Sequence, residues 1–177
     1  MTTLPPGSLQ GPAEAPAACP LHRRAWVGLG ANLGDARATL QQALLALGSS
    51  ADVQLGRVSS FWRSAPVDAQ GPEFINACAE LRTALPPLEL LALLQRIEQL
   101  HGRQRPYRNA PRTLDLDLLA CEGETWCTPE LTLPHPRLHL RAFVLRPLAE
   151  IVPVLPGLGP LAPWLQATAD QDCMRLP

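Results

Sequence analysis

The chain contains no lysine: its 15 basic side chains are all arginine, set against 16 carboxylates for a formal net charge of −1. The gap fits a general bias toward Ala, Leu, Pro and Arg, yet it has a chemical consequence. A P-loop needs its lysine, so a nucleotide bound here is held some other way. The near-neutral balance also argues against a general polyanion binder, which is usually basic overall or on one face. No apolar run approaches the roughly 18 residues of a membrane span. The N-terminus lacks the basic start and continuous apolar core of a signal peptide. Five cysteines stand at 19, 78, 121, 127 and 173. None forms a CxxC pair or a zinc-ligand spacing, which reads as reduced thiols in a cytoplasmic protein. A small-molecule enzyme or a compact binding module remains; nucleic acid and membrane are not expected partners.

What the chain does have is a dense stretch, Arg103-Gln104-Arg105-Pro106-Tyr107-Arg108-Asn109-Ala110-Pro111-Arg112-Thr113-Leu114-Asp115-Leu116-Asp117. Its end alternates polar and apolar at the period of a half-buried strand. Residues i and i+2 of a strand share a face, so Asp115 and Asp117 project together with Cβ atoms roughly 6–7 Å apart. Two carboxylates that close repel unless a cation lies between them, and a divalent metal or the upstream arginines could supply it. Hard oxygen ligands on a rigid face suit Mg²⁺ carrying substrate phosphates. Arginines suit the phosphates directly, through forked charge-assisted hydrogen bonds. The bland alternative is a solvated strand face with surface ion pairs.

In chain order, residues 1–24 are a Pro/Ala-rich leader expected to be disordered. Ala25–Gly30 reads as a buried strand entering the turn Gly30-Ala31-Asn32-Leu33-Gly34, whose glycine spacing is not the dinucleotide fingerprint. Asp35 is placed to cap a helix over 36–47, with Leu40, Leu44 and Leu47 on one face and Gly48 as its stop. Val53–Arg63 and Phe74–Thr83 read as strands, joined by a Pro/Gly loop at 64–72. Pro86-Pro87 opens a helix through His101 with an apolar face of Leu90, Leu91, Leu94, Ile97 and Leu100. After the Asp115/Asp117 strand come a turn at 122–124, a short strand at 125–127 and the bend Leu133-Pro134-His135-Pro136. A helix is expected over Leu140–Ala149, then a Pro-rich tail with an apolar segment around Trp164. The order β-α-β-β-α-β predicts an α+β fold with a ferredoxin-like core: an antiparallel sheet with flanking helices, an α/β/α sandwich. A single domain is expected over 25–168, with 169–177 as a tail.

Arg112-Thr113-Leu114-Asp115-Leu116-Asp117, preceded by Arg96-Ile97-Glu98 and Gly102-Arg103, resembles the 6-hydroxymethyl-7,8-dihydropterin pyrophosphokinase family. Gly30-Ala31-Asn32-Leu33-Gly34, Val58-Ser59-Ser60-Phe61-Trp62-Arg63-Ser64 and Leu133-Pro134-His135 agree with it in order and spacing. The resemblance implies transfer of pyrophosphate from ATP to the pterin's hydroxymethyl oxygen, releasing AMP, in folate biosynthesis. It implies that Asp115 and Asp117 hold two Mg²⁺ ions and that Arg103 and Arg112 neutralise the transferred phosphates. Glu98, Arg105, Leu118, His135 and Arg141 would serve the ATP. Phe74 and Phe143 would sandwich the pterin, Asn76 would read its edge, and Ser64, Ala65 and Val67 would line it, with Asn32 at the pocket floor. A monomer is expected.

The sequence departs from the family at several points. Asn109-Ala110 stands where Trp-Gly is common, leaving Tyr107 as the aromatic of that loop. Pro136 replaces an aromatic, Ala65 a proline, and Phe74 drops a hydroxyl. None removes a metal ligand or a central arginine. The loops 64–72 and 103–112 read as lids, because phosphoryl transfer to an alcohol needs water excluded, with ATP expected to bind first. Two rivals stand beside this reading. An RNA- or regulator-binding module would need surface aromatics on the strands and a net basic domain. Another Mg-dependent transferase would not need Phe74, Asn76 and Phe143 together.

Overall fold

The computed structural model describes residues 23–66, 71–102 and 112–177. Strand β1 (Arg23–Ala31) leads into α1 (Ala36–Gly48), then β2 (Val53–Val58), β3 (Trp62–Ser64), β4 (Phe74–Thr83) and α2 (Pro87–Leu100). Strand β5 (Asp115–Cys121), the hairpin β6 (Trp126–Cys127) and β7 (Thr132–Leu133), a 3₁₀ turn at Leu138–Leu140 and α3 (Ala142–Ile151) follow. The chain ends with a second small hairpin, β8 (Val154–Leu155) and β9 (Gly159–Pro160), the short α4 (Ala162–Ala167) and β10 (Cys173–Arg175). The main sheet is ordered β10-β3-β4-β1-β5, with β2 also on β4, and every pairing is antiparallel.

Strand parity divides the core. Ala25, Val27, Leu29 and Ala31 of β1 face α1 and α2, and pack with Leu40, Leu47, Leu90 and Leu94. Trp26, on the other parity, packs with Leu138, Leu145 and Leu148 beneath α3. Each buried valine or leucine among them contributes about 1.5–3 kcal/mol of transfer free energy. The result is the expected α+β sandwich, with helices on both faces of an antiparallel sheet. Asp35 caps α1 as its position suggests, accepting from the Ala38 N–H at 3.0 Å. Pro86 and Pro87 open α2, where missing N–H groups cost nothing.

Four sequence expectations are corrected. Arg23 and Arg24 are not leader but the start of β1, paired with Glu124 and Glu122 of the turn after β5. The single strand expected over 53–63 is broken at 59–61. There the Ser59 N–H donates to the Cys78 carbonyl and the Ser59 hydroxyl accepts from the Cys78 N–H, both at 2.9 Å, which ends the ladder. Leu100 is 84% exposed, because the buried stripe of α2 takes Leu93 beside Leu90 and Leu94 and ends on Ile97 and Glu98. The tail is not a tail: Cys173–Arg175 adds a strand beside β3.

Candidate active site

The site begins with two glycines. In the sheet register Gly30 lies between Asn76 of β4 and Asp115 of β5, and Gly28 between Cys78 and Asp117. Residues directly opposite across an antiparallel sheet share a face. The middle strand of these two rows therefore carries no side chain, and a cavity of about 290 Å³ opens over it. A Cβ added at Gly30 would lie 3.3 Å from Asn76 Oδ1 and 3.9 Å from Phe74.

Three walls rise from that floor. Ser64, Ala65, Phe74 and Asn76 come from the β3–β4 side, Asp115 and Asp117 from β5, and Arg141 and Phe143 from the start of α3. Asn76 is buried and donates from Nδ2 to the Ser64 hydroxyl at 3.0 Å, which fixes the amide and leaves its oxygen beside Gly30. The alternation of β5 sends Leu114, Leu116 and Leu118 to the helices and both aspartates to the cavity.

Each aspartate meets an arginine. Arg112 is ion-paired with Asp115. Arg141 Nη1 stands 4.0 Å from Asp117 Oδ2, with its guanidinium 5.4 Å above the Phe143 ring. Asp117 opens onto the cavity with 39% of its side chain accessible. Enclosure by the walls, and then the Asp115 charge, still push its carboxyl above the ordinary range, against the pull of His135, Arg141 and Arg112. His135 is shifted down, first by burial, with Asp117 opposing. Its Nδ1 accepts from the Arg137 N–H at 3.3 Å, so the neutral ring carries its proton on Nε2. Burial and the Arg137 charge lower the Arg141 guanidinium, partly offset by Asp117.

The donor set can be tested against a metal. Among the described residues no three His, Cys, Asp or Glu side chains cluster closely enough to hold one. Two hard carboxylates on one rigid face are too few for a self-contained site, but they fit Mg²⁺ whose remaining ligands are phosphate oxygens and water. The residues present fit that group.

Of the residues named from sequence, Arg112, Asp115, Asp117, Arg141, Ser64, Ala65, Phe74, Asn76 and Phe143 come together in the cavity. Three others do different work. Glu98 is buried on α2 and accepts from the Leu116 N–H at 2.7 Å, bracing β5 from behind. Leu118 faces the core under α1 and α2. Asn32, expected at the pocket floor, is a buried tie between Pro72 and Arg112. Arg103, Arg105, Val67 and Tyr107 lie outside the described residues, as do most of the two expected lids. The sequence reading missed Gly28 and Gly30 as the floor, although two glycines one residue apart in a buried strand are a signal of open space on one face. It also missed Arg137 at the rim. Among the described residues, no helix is long and apolar enough to cross a membrane.

Comparison with known proteins identifies the family. The model of the 7,8-dihydro-6-hydroxymethylpterin-pyrophosphokinase family matches residues 26–153. A 2-amino-4-hydroxy-6-hydroxymethyldihydropteridine pyrophosphokinase of Bacillus subtilis is 44% identical over 128 residues, covering 72% of this chain and 77% of that protein. A protein of the same name from Pseudomonas aeruginosa is 41% identical over 158 residues, covering 88% of this chain and 98% of that one. Among solved structures, wild-type Plasmodium falciparum HPPK-DHPS with pteroate superimposes with a TM-score of 0.66 at 12% identity. The match covers 82% of this chain and 42% of that one, so this chain spans less than half of the longer protein and shares the fold of that part alone. By the family match and these identities, the chain belongs to the 7,8-dihydro-6-hydroxymethylpterin-pyrophosphokinase family and is a pyrophosphokinase of folate biosynthesis.

Proposed function

We propose that the chain transfers the terminal diphosphate of ATP to the hydroxymethyl oxygen of 6-hydroxymethyl-7,8-dihydropterin and releases AMP. Asp115 and Asp117 are the carboxylates for two Mg²⁺ ions. Bound there with the triphosphate, magnesium supplies charge neutralisation and makes the alcohol a better nucleophile. The protein's own part is positioning and electrostatics, which is most of what phosphoryl transfer asks of an enzyme. Arg112 and Arg141 turn from their aspartates to the phosphates as nucleotide enters. Arg103 and Arg105 join them, with His135 beside Asp117. Phe74 and Phe143 stack on the flat pterin, and Asn76, held by Ser64, reads its edge. Ala65 and Val67 flank the ring. Glu98, Leu118 and Asn32 support the nucleotide and pterin walls.

One observation carries the reading: a paired carboxylate face, arginines and two phenylalanines with a fixed amide share a single cavity. The enzyme is read as a monomer acting in the cytoplasm; free thiols at all four described cysteines support the compartment. The test is AMP release from Mg-ATP with and without the pterin, on wild type and Asp117→Ala. Pterin-dependent AMP, lost in the variant, is the expected result. ADP in its place would make the chain an ordinary kinase. No AMP with pterin still bound would make it a pterin binder.

A further inference from the structure

Three described arginines line the cavity: Arg112, Arg137 and Arg141. Two already face carboxylates, Asp115 and Asp117. Arg137 does not. It is exposed at the rim, and its guanidinium has no ion pair or hydrogen bond with any described residue. Its backbone, by contrast, is pinned. The N–H donates to His135 Nδ1 at 3.3 Å, and the carbonyl accepts from the Leu140 N–H at 3.2 Å. Pro136 precedes it, and Leu138, buried in the α3 core, follows. The side chain therefore springs from a fixed point at the mouth. Its charge is felt at both Arg141 and His135, where it opposes further positive charge.

Like charges gathered at a cavity mouth favour a polyanionic occupant. Arg112 and Arg141 reach a phosphate only by loosening their hold on carboxylates. Among the described residues Arg137 has no carboxylate to leave. We infer that Arg137 is a phosphate-binding residue of the nucleotide site, making the first ion pair with the incoming triphosphate. The inference rests on the nucleotide reading of the cavity given above. A charge at the rim acts mostly on the association rate and its salt dependence.

The experiment compares the full-length wild type with Arg137→Ala, Arg137→Gln and Arg137→Lys. Binding of the α,β-methylene analogue of ATP with MgCl₂ is followed by stopped flow and titration at low and high NaCl. Alanine and glutamine are expected to slow association and weaken affinity about tenfold, with a shallower salt dependence, while lysine stays within about threefold of wild type. The pterin KM at saturating ATP should be unchanged. Alanine and glutamine variants that bind the analogue as tightly and with the same salt dependence as wild type would overturn the inference. So would a matching rise in pterin KM, which would make Arg137 a packing residue of the wall. If wild type releases AMP and the variants bind normally, only this inference falls. If wild type binds no analogue and releases no AMP, the nucleotide reading falls first.

Discussion

Asn32 and Arg112, 80 residues apart, hold each other twice. The Asn32 N–H donates to the Arg112 carbonyl at 3.0 Å, and the Arg112 N–H donates to Asn32 Oδ1 at 2.7 Å. The same amide donates from Nδ2 to the Pro72 carbonyl at 3.1 Å, two residues before Phe74. One buried side chain thus sets the backbone of the cavity's arginine and of its phenylalanine strand. Asn32→Ala is expected to cost about 1–2 kcal/mol in urea denaturation, because it removes two part-buried hydrogen bonds to the backbone of Pro72 and Arg112. Asn32→Asp keeps the acceptor for Arg112 but sets a carboxylate oxygen against the Pro72 carbonyl. Because the disturbed tie is the one to the phenylalanine strand, it should raise the pterin KM more than the ATP KM; equal changes in both would count against that placement.

Gly30→Ala should separate binding from folding. The added methyl meets Asn76 Oδ1 and approaches Phe74, inside the proposed pterin slot. Pterin affinity should fall about tenfold, while stability changes by less than about 1 kcal/mol, since alanine is at ease in an extended strand. Calorimetric titration beside a thermal melt checks both at once. Unchanged pterin affinity would move the slot off this floor.

Asp117→Asn should trade activity for stability in the ligand-free chain. Pyrophosphoryl transfer is expected to drop by about 10²–10³-fold or more. Burial and Asp115 raise the Asp117 carboxyl above its ordinary value of 3.8, so the folded state holds this proton more firmly than the unfolded chain. Between the two pKa values the folded state binds more protons, and wild-type stability falls as pH rises through that interval. The asparagine variant escapes this loss. Its advantage in Tm over wild type should be small near pH 4 and larger at pH 7. An advantage that does not change with pH would contradict the assignment.

Alkylation should rank the described thiols. Cys127 is exposed, whereas Cys78, Cys121 and Cys173 are buried. Burial pushes Cys121 up to about 12 and raises Cys78 and Cys173 as well, so little thiolate exists at any of the three near neutrality. Peptide mapping after brief iodoacetamide treatment at pH 8 should find Cys127 modified well ahead of the other three. Early labelling of Cys78 would mean that the cavity floor opens in solution.

Local chemistry was readable where it acts locally. Asp35, Pro86-Pro87 and the alternation of Leu114–Leu118 declare a cap, a helix start and a two-faced strand without outside help. The same alternation put Asp115 and Asp117 on one face, and it equally turns Leu118 away from them, a point parity alone could have made. What the sequence hides is pairing at a distance. Cys173–Arg175 has no strand signature of its own and becomes one because β3 offers an open edge. Glu98 and Asn32 sit in motif positions, yet their contacts are Leu116, Pro72 and Arg112, partners that only folding brings near. Arg137 looks like any surface arginine until a cavity stands beside it.

The late arrival of β10 has a bearing on synthesis. The wall holding Ser64 is a three-residue strand with β4 on one side and β10 on the other. Arg175 and Ser60, joined across that edge at 2.9 Å, are 115 residues apart. A ribosome making this chain releases the glycine floor early and both aspartates later, but the strand that braces the pterin wall emerges after all of them. Contacts so distant in sequence form late. The pterin wall therefore gains its outer strand only after the glycine floor, both aspartates and α3 have been made.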